Sequence, residues 1–177
     1  MRREQLEHVI RAAASVLGED AVIVIGSQAI HGSVPEERLP PDATESIEAD
    51  VIPFDGDEAK SELIDGSIGE ASLFHESFGV YAQGVVPQTA KLAPGWRDRL
   101  VPLRGPGTHD VTGWCLESHD LVAAKLIAGR EKDVRFYRAL RDASLIDPDV
   151  IAERIRITEG VDDRTRTHAL DLMRRVV

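Results

Sequence analysis

Two short stretches in the first third of the chain have residue types suited to holding phosphate and metal. Gly26 and Ser27 directly follow the apolar run 21–25, and Glu48 and Asp50 come later with one residue between them. Glycine lets the backbone approach a phosphate closely, and the first amides of a following helix direct positive charge at it. In a strand, Glu48 and Asp50 would lie on the same face, because side chains alternate with a period of two.

Two neighbouring carboxylates favour a divalent cation, Mg²⁺ or Mn²⁺, that completes its shell with water and substrate phosphates. Each stretch alone has a simpler explanation. Gly-Ser after an apolar strand is often only a turn, and an acid-x-acid strand is often a solvated face. Their order, with a helix between them, predicts a joint site for a nucleoside triphosphate on a metal ion, with Glu48 and Asp50 as the metal ligands.

This order resembles the nucleotidyltransferase fold of the DNA polymerase β superfamily. Further along, an Asp-x4-Lys block at 120–125 is followed by the Arg-x-Lys-Asp sequence at 130–133. These later motifs are similar to those of the abortive-infection type IV (AbiEii-like) toxin nucleotidyltransferases, whose characterised members include toxins that modify tRNA. The similarity covers roughly residues 20 to 140.

The resemblance implies a metal-dependent enzyme that moves a nucleoside monophosphate from an NTP to an acceptor and releases pyrophosphate. Its site would comprise catalytic Asp50, Lys125 and Asp133 and substrate-binding Gly26, Ser27, Arg130 and Lys132. Lys125 would neutralise the leaving pyrophosphate, and Asp133 would orient Lys125 or the acceptor. The simpler alternatives are a lysine at the edge of the core and a solvated salt-bridge run at 130–133.

The chain departs from the superfamily pattern in its acids. The superfamily usually has Asp where this chain has Glu48, and it has a third acid on a neighbouring strand. The predicted strands 78–85 and 100–103 contain no acid. In the toxin-like branch the later lysine and aspartate lie at the active site, so Lys125 and Asp133 are expected to serve instead of the third acid.

The acceptor and the partners follow only from the resemblance. The toxin-like motifs imply a tRNA 3′ end as acceptor and a separately encoded antitoxin as partner. A hydroxylated small molecule is the second enzyme hypothesis and agrees better with the acidic composition. A third hypothesis, motivated by the missing acid, is a non-catalytic NTP-binding or interaction module of the same fold.

Composition excludes several other classes of protein. The chain has 177 residues, a net charge of −10 and 42% hydrophobic residues, which indicates a soluble globular protein without membrane association. The single cysteine, Cys115, excludes an internal disulfide and favours a cytoplasmic location and a buried structural thiol.

The negative charge argues against broad nucleic-acid binding, although basic residues are concentrated between 97 and 141. The histidine spacing does not predict zinc, and serine triads, Rossmann fingerprints and long P-loops are absent.

Hydrophobic periodicity predicts an α/β (α+β) fold, with a small mixed sheet flanked by helices and a C-terminal helical extension. The expected strands are 21–25, 46–52, 78–85, 100–103 and 111–116. The expected helices are 4–17, 57–64, 119–141, 147–155 and 162–176. Residues 31–44 are expected to form a loop, and Ser118 is expected to cap the helix that carries both Lys125 and Asp133. We expect a core at 1–117 and a helical segment at 118–177 packed on it as one compact unit.

Overall fold

The computed structural model describes residues 1–174, which form a five-stranded mixed sheet flanked by helices. The strand order is β3-β2-β1-β5-β4. Strands β1 and β5 are parallel, as are β2 and β3, whereas β1–β2 and β4–β5 are antiparallel. The strands are β1 Ala21–Ile25, β2 Glu48–Pro53, β3 Tyr81–Gly84, β4 Val101–Leu103 and β5 Thr112–Cys115. The predicted fold class, a small mixed sheet with flanking helices, is confirmed.

Eight α-helices surround this sheet in the described residues. They are α1 Arg3–Leu17, α2 Ile30–Ser33, α3 Glu58–Ile68, α4 Leu73–Phe78, α5 Ser118–Ala128, α6 Glu131–Asp142, α7 Pro148–Ile157 and α8 Asp163–Arg174. Helices α1 and α3 pack on the sheet, and α5 packs against α6, α7 and α8. No helix within residues 1–174 combines the length and the apolarity needed to cross a lipid bilayer.

The central strand explains why the sheet forms where it does. Strand β1 is a continuous apolar run whose Val22, Ile23 and Val24 are fully buried, as expected for a strand covered on both faces. Helix α1 ends at Gly18, as predicted, because Gly18 adopts the left-handed conformation with φ +68°. Cys115 is also buried, as predicted, and burial raises the pKa of its thiol to about 12.

The predicted helix 119–141 is wrong in one important respect. Gly129, with φ +66°, ends α5, and the chain reverses before α6 begins at Glu131. The predicted cap is also wrong. The N-cap is Glu117, whose carboxylate accepts hydrogen bonds from the backbone N–H groups of His119 and Asp120.

Other boundaries differ by a few residues. Helix α3 continues through Gly66 to Ile68, because Gly66 keeps a helical conformation and the terminating glycine is Gly69. The start of the predicted strand 78–85 belongs instead to α4, so β3 begins at Tyr81. The predicted loop 31–44 contains the end of α2 and two 3-10 turns. The predicted last helix corresponds to α8, and its residues 175 and 176 lie outside the described residues.

Candidate active site

The antiparallel pairing of β1 and β2 brings the two predicted phosphate and metal motifs together. Ile25 pairs with Asp50, so Gly26 comes directly beside the Asp50 carboxylate. A Cβ atom on residue 26 would lie 1.8 Å from Asp50 Oδ2, and Gly26 also has φ +67°. Only glycine therefore fits at this position without displacing the carboxylate.

Strand β3 adds two side chains that the sequence analysis did not identify as site residues. Its parallel register pairs Tyr81 with Glu48 and Gln83 with Asp50. The Tyr81 hydroxyl donates a hydrogen bond of 2.9 Å to Glu48 Oε2. Strand β3 contains no acid, as predicted, and the β3 residue beside Asp50 is Gln83. No spacing rule could have identified Gln83, because its place depends on which strand pairs with β2.

The two carboxylates are crowded, and this crowding changes their titration. Burial, followed by the negative charge of Glu48 and a hydrogen bond with it, raises the pKa of Asp50 to about 6. Lys125 and Lys132 act in the opposite direction. Burial and the interaction with Glu48 also raise the pKa of Tyr81 to about 12. A divalent cation would relieve this repulsion between the carboxylates.

The donor set fits a hard cation that keeps part of its shell for substrate. Glu48 and Asp50 supply two carboxylates, and Gln83 supplies an amide oxygen beside them. Within the part of the chain that the structure describes, no group of three or more His, Cys, Asp or Glu residues could enclose a metal. Mg²⁺ commonly binds through one or two carboxylates with waters and substrate phosphates, so these residues fit it.

Lys125 and Asp133 are brought together by tertiary structure and not by the predicted two-turn spacing on one helix. The reversal at Gly129 folds α6 back so that Lys125 Nζ donates to Asp133 Oδ1 at 2.9 Å. Asp133 is fully buried and also accepts a 2.6 Å hydrogen bond from Arg130 Nε. Burial opposes ionisation of Asp133, but these two cations hold its pKa below the ordinary value. Phe136 lies beneath the ammonium of Lys125, with 4.8 Å from Nζ to the ring centroid.

These contacts describe how each cation of this region is placed. Lys125 is only 8% exposed and ion-paired, so it does not extend its ammonium into solvent. Arg130 is exposed but is held by the buried Asp133. Lys132 lies on the exposed face of α6.

A cleft of about 480 Å³ unites the site. All the predicted site residues except Asp133 line it, and Asp133 lies behind Lys125. The cleft is also lined by Lys91 from the loop after β3 and by Gly160, Val161, Asp162 and Thr165 from the α7–α8 region. Its volume is in the range of small-molecule and cofactor sites.

Two arginines of the basic segment 97–141, Arg99 and Arg104, have structural contacts away from the cleft. Arg99 binds Asp120 with distances of 2.6 and 3.0 Å, and Arg104 donates to the Thr112 hydroxyl. Asp120, the first residue of the Asp-x4-Lys block, is therefore a buried structural acid and does not line the cleft.

The comparison with protein families agrees with this geometry. A family model described as "Nucleotidyltransferase of unknown function (DUF6036)" matches residues 4–175. No curated protein and no solved structure matches the chain. Because the family match extends over nearly the whole sequence, the chain belongs to this family of nucleotidyltransferases.

Proposed function

We propose that the protein transfers a nucleoside monophosphate from an NTP to an acceptor hydroxyl, with Mg²⁺ or Mn²⁺ as cofactor. The observation that supports this most strongly is the pair of crowded carboxylates, Glu48 and Asp50, directly beside Gly26 and facing Lys125 across one cleft. In the reaction the acceptor oxygen forms a bond to the α-phosphorus, the bond from that phosphorus to the β-phosphate oxygen breaks, and pyrophosphate leaves.

The chain's residues would contribute mainly position and charge, as in phosphoryl transfer generally. Glu48 and Asp50 would hold the metal, which when bound neutralises phosphate charge and polarises the α-phosphorus. Gly26 allows the backbone to approach the β- and γ-phosphates, and the Ser27 hydroxyl would donate to them. Lys125 would neutralise the leaving pyrophosphate.

Two further residues would support these contacts. Asp133 holds the Lys125 ammonium in place through the 2.9 Å ion pair. Arg130 and Lys132 line the cleft beside Lys125 and would add positive charge for the substrate.

Replacement of one metal ligand tests the proposal. The wild-type protein is incubated with Mg²⁺, each α-labelled NTP in turn and total tRNA or a panel of hydroxylated small molecules. Asp50→Asn should reduce label transfer by about 100-fold or more, since it removes a charge that acts on the reacting phosphate. Glu62→Gln, an exposed acid on α3, should leave transfer unchanged. Equal transfer by the wild type and Asp50→Asn would refute this function.

For the acceptor we propose a tRNA end, with the protein acting as the toxin of a toxin–antitoxin pair. The similarity of residues 120–133 to the toxin-like motifs supports this. Growth arrest on expression, relieved by Asp50→Asn and by a neighbouring antitoxin gene, is the expected result. The net charge of −10 supports the alternative of a small-molecule acceptor, and label on a small molecule without label on RNA would favour it.

One observation favours a second function from a different class. Gln83 stands where a third carboxylate would complete the acids beside Asp50, which supports a non-catalytic NTP-binding module. This hypothesis predicts metal-dependent NTP binding by calorimetry without transfer of label to any acceptor. Under the same hypothesis, Gln83→Glu would restore measurable transfer.

A further inference from the structure

A second cavity opens beside the main cleft, between α6 and the loop that precedes β2. We call it the α6 cavity; its volume is about 300 Å³. Its lining comprises Ser27, Asp42, Ala43, Glu45, Ser46, Lys125, Lys132, Arg135 and Phe136. Four of these residues, Ser27, Ser46, Lys125 and Lys132, also line the main cleft. The two cavities therefore meet at the wall formed by these four residues.

The cations of the α6 cavity differ in their partners. Lys125 is ion-paired with the buried Asp133, which also pairs with Arg130. Lys132 and Arg135 lie three residues apart on the same face of α6 and are exposed. Neither has a carboxylate within 4.0 Å among residues 1–174. Two of the cavity's cations are thus available to an anionic ligand.

The acids of the cavity come from a different element. Asp42 and Glu45 belong to the loop before β2 and are exposed. An anion in the cavity would therefore be held against α6 and away from this loop. The planar guanidinium of Arg135 can donate two parallel hydrogen bonds to a phosphate, which an ammonium cannot do.

The main cleft offers a different environment from the α6 cavity. Apolar side chains line it there, and those of α5 and the α7–α8 loop are Leu121, Ala124, Ile127, Ala128 and Val161. Such a wall suits the nucleoside part of a nucleotide. With the α-phosphate near Glu48 and Asp50, the nucleoside and the two terminal phosphates would occupy different cavities.

We propose that the α6 cavity receives the β- and γ-phosphates of the NTP and that Arg135 selects triphosphates over monophosphates. This inference rests on the proposed nucleotidyltransferase function and deepens it. Arg135 lies outside the predicted phosphate and metal motifs and outside the 120–133 block. The leaving pyrophosphate would also depart through the α6 cavity.

Binding measurements on two matched variants test this assignment. Arg135→Gln removes one of the two available cations of the cavity. Arg138→Gln removes an exposed cation one turn further along α6 that lines neither cavity. Calorimetry in Mg²⁺ measures binding of the preferred NTP, its monophosphate and inorganic pyrophosphate. Arg135→Gln should weaken NTP and pyrophosphate binding about tenfold, the effect of one lost charged hydrogen bond. Monophosphate binding should be unchanged, and Arg138→Gln should bind all three ligands like the wild type.

The possible failures can be told apart. If the wild type binds no NTP, both this inference and the proposed function are refuted. If NTP binding depends on Asp50 but Arg135→Gln and Arg138→Gln behave alike, only the role of Arg135 is refuted. Weaker monophosphate binding in Arg135→Gln would also refute it, because Arg135 would then act on the rest of the nucleotide. Thermal unfolding of both variants establishes that they are folded as the wild type is.

Discussion

Two separate features of the structure require glycine at position 26. Its φ of +67° is a conformation that disfavours other residues, and a Cβ atom there would overlap the Asp50 carboxylate. Gly18 has almost the same φ, +68°, but open space around its Cβ position. Gly18, with ψ +30° where Gly26 has ψ −170°, is therefore a control for positive-φ strain without a steric effect on Asp50.

Alanine at each of these positions distinguishes the two effects. Gly18→Ala should lose about 1–2 kcal/mol of folding free energy from the left-handed backbone. Gly26→Ala should lose about 1–3 kcal/mol, because φ +67° with ψ −170° is a conformation essentially restricted to glycine. Only Gly26→Ala should abolish Mg²⁺-dependent NTP binding, because its methyl group would displace Asp50. Urea unfolding measures the first effect and calorimetry the second. Intact NTP binding by Gly26→Ala would show that Asp50 has room to move.

The raised pKa of Asp50 predicts how the proposed metal binding would depend on pH. The proton and the metal compete for the same carboxylate, so a lower pH must weaken metal binding. With a pKa of about 6, Mg²⁺ affinity should be level above pH 7 and fall by about tenfold per unit well below pH 6. Calorimetry with Mg²⁺ between pH 5 and 8 measures this. Asp50→Asn should lose this pH dependence, and its persistence in that variant would assign it to another group.

Among the helices, the reversal between α5 and α6 contributes most to the site. Gly129 ends α5, and the N-terminus of α6 then places Asp133 against Lys125. A continuous helix would direct the two side chains two turns apart and leave the buried Asp133 without Lys125. The helix break at Gly129 therefore allows Lys125 of α5 and Asp133 of α6 to form an ion pair.

Two glycines in helical regions give a matched test of this reversal. Gly129 has φ +66°, whereas Gly66 lies inside α3 with a helical backbone and open space around it. Gly129→Ala should lose about 1 kcal/mol of stability from left-handed strain, and Gly66→Ala should gain up to about 1 kcal/mol from helix propensity. Urea denaturation measures both. Unchanged stability in Gly129→Ala would mean that the turn tolerates another geometry.

Across the whole molecule, Asp120 joins three distant parts of the chain. It is 1% exposed and binds Arg99, from the turn before β4, and Arg154, from α7. Its own helix, α5, supplies Lys125 to the cleft. This buried cluster therefore fixes the position of the C-terminal helices relative to the sheet. The predicted division of the chain at 117/118 stays a prediction.

Loss of the Asp120 charge should destabilise the molecule without direct damage to the site. Asp120→Asn leaves Arg99 and Arg154 without their buried counter-ion, at a cost of about 3 kcal/mol. Glu153→Gln removes an exposed acid of α7 that pairs with Arg156, and it should cost less than about 1 kcal/mol. Thermal unfolding measures both changes. At a temperature where each variant is folded, NTP affinity should equal that of the wild type; a weaker affinity would place Asp120 in the site.

The local patterns of the chain determined the first strand, the mixed α/β character and the candidate motifs for phosphate and metal. The apolar run at 21–25, Gly26-Ser27 and the alternation of Glu48 with Asp50 are features of single elements. Their consequences follow from periodicity within a few residues. Such features can be predicted from the sequence because they do not depend on the rest of the chain.

Tertiary structure alone decided which side chains complete the site. Gln83 lies beside Asp50 because β3 pairs in parallel with β2, and strand register depends on packing of segments far apart in sequence. Asp120 and Lys125 belong to one sequence block, yet Asp120 is a buried anchor and Lys125 lines the cleft. Arg135 borders a cavity that exists only because α6 folds back at Gly129. The physical reason is that a side chain's surroundings are set by the packing of distant elements, which local spacing does not specify.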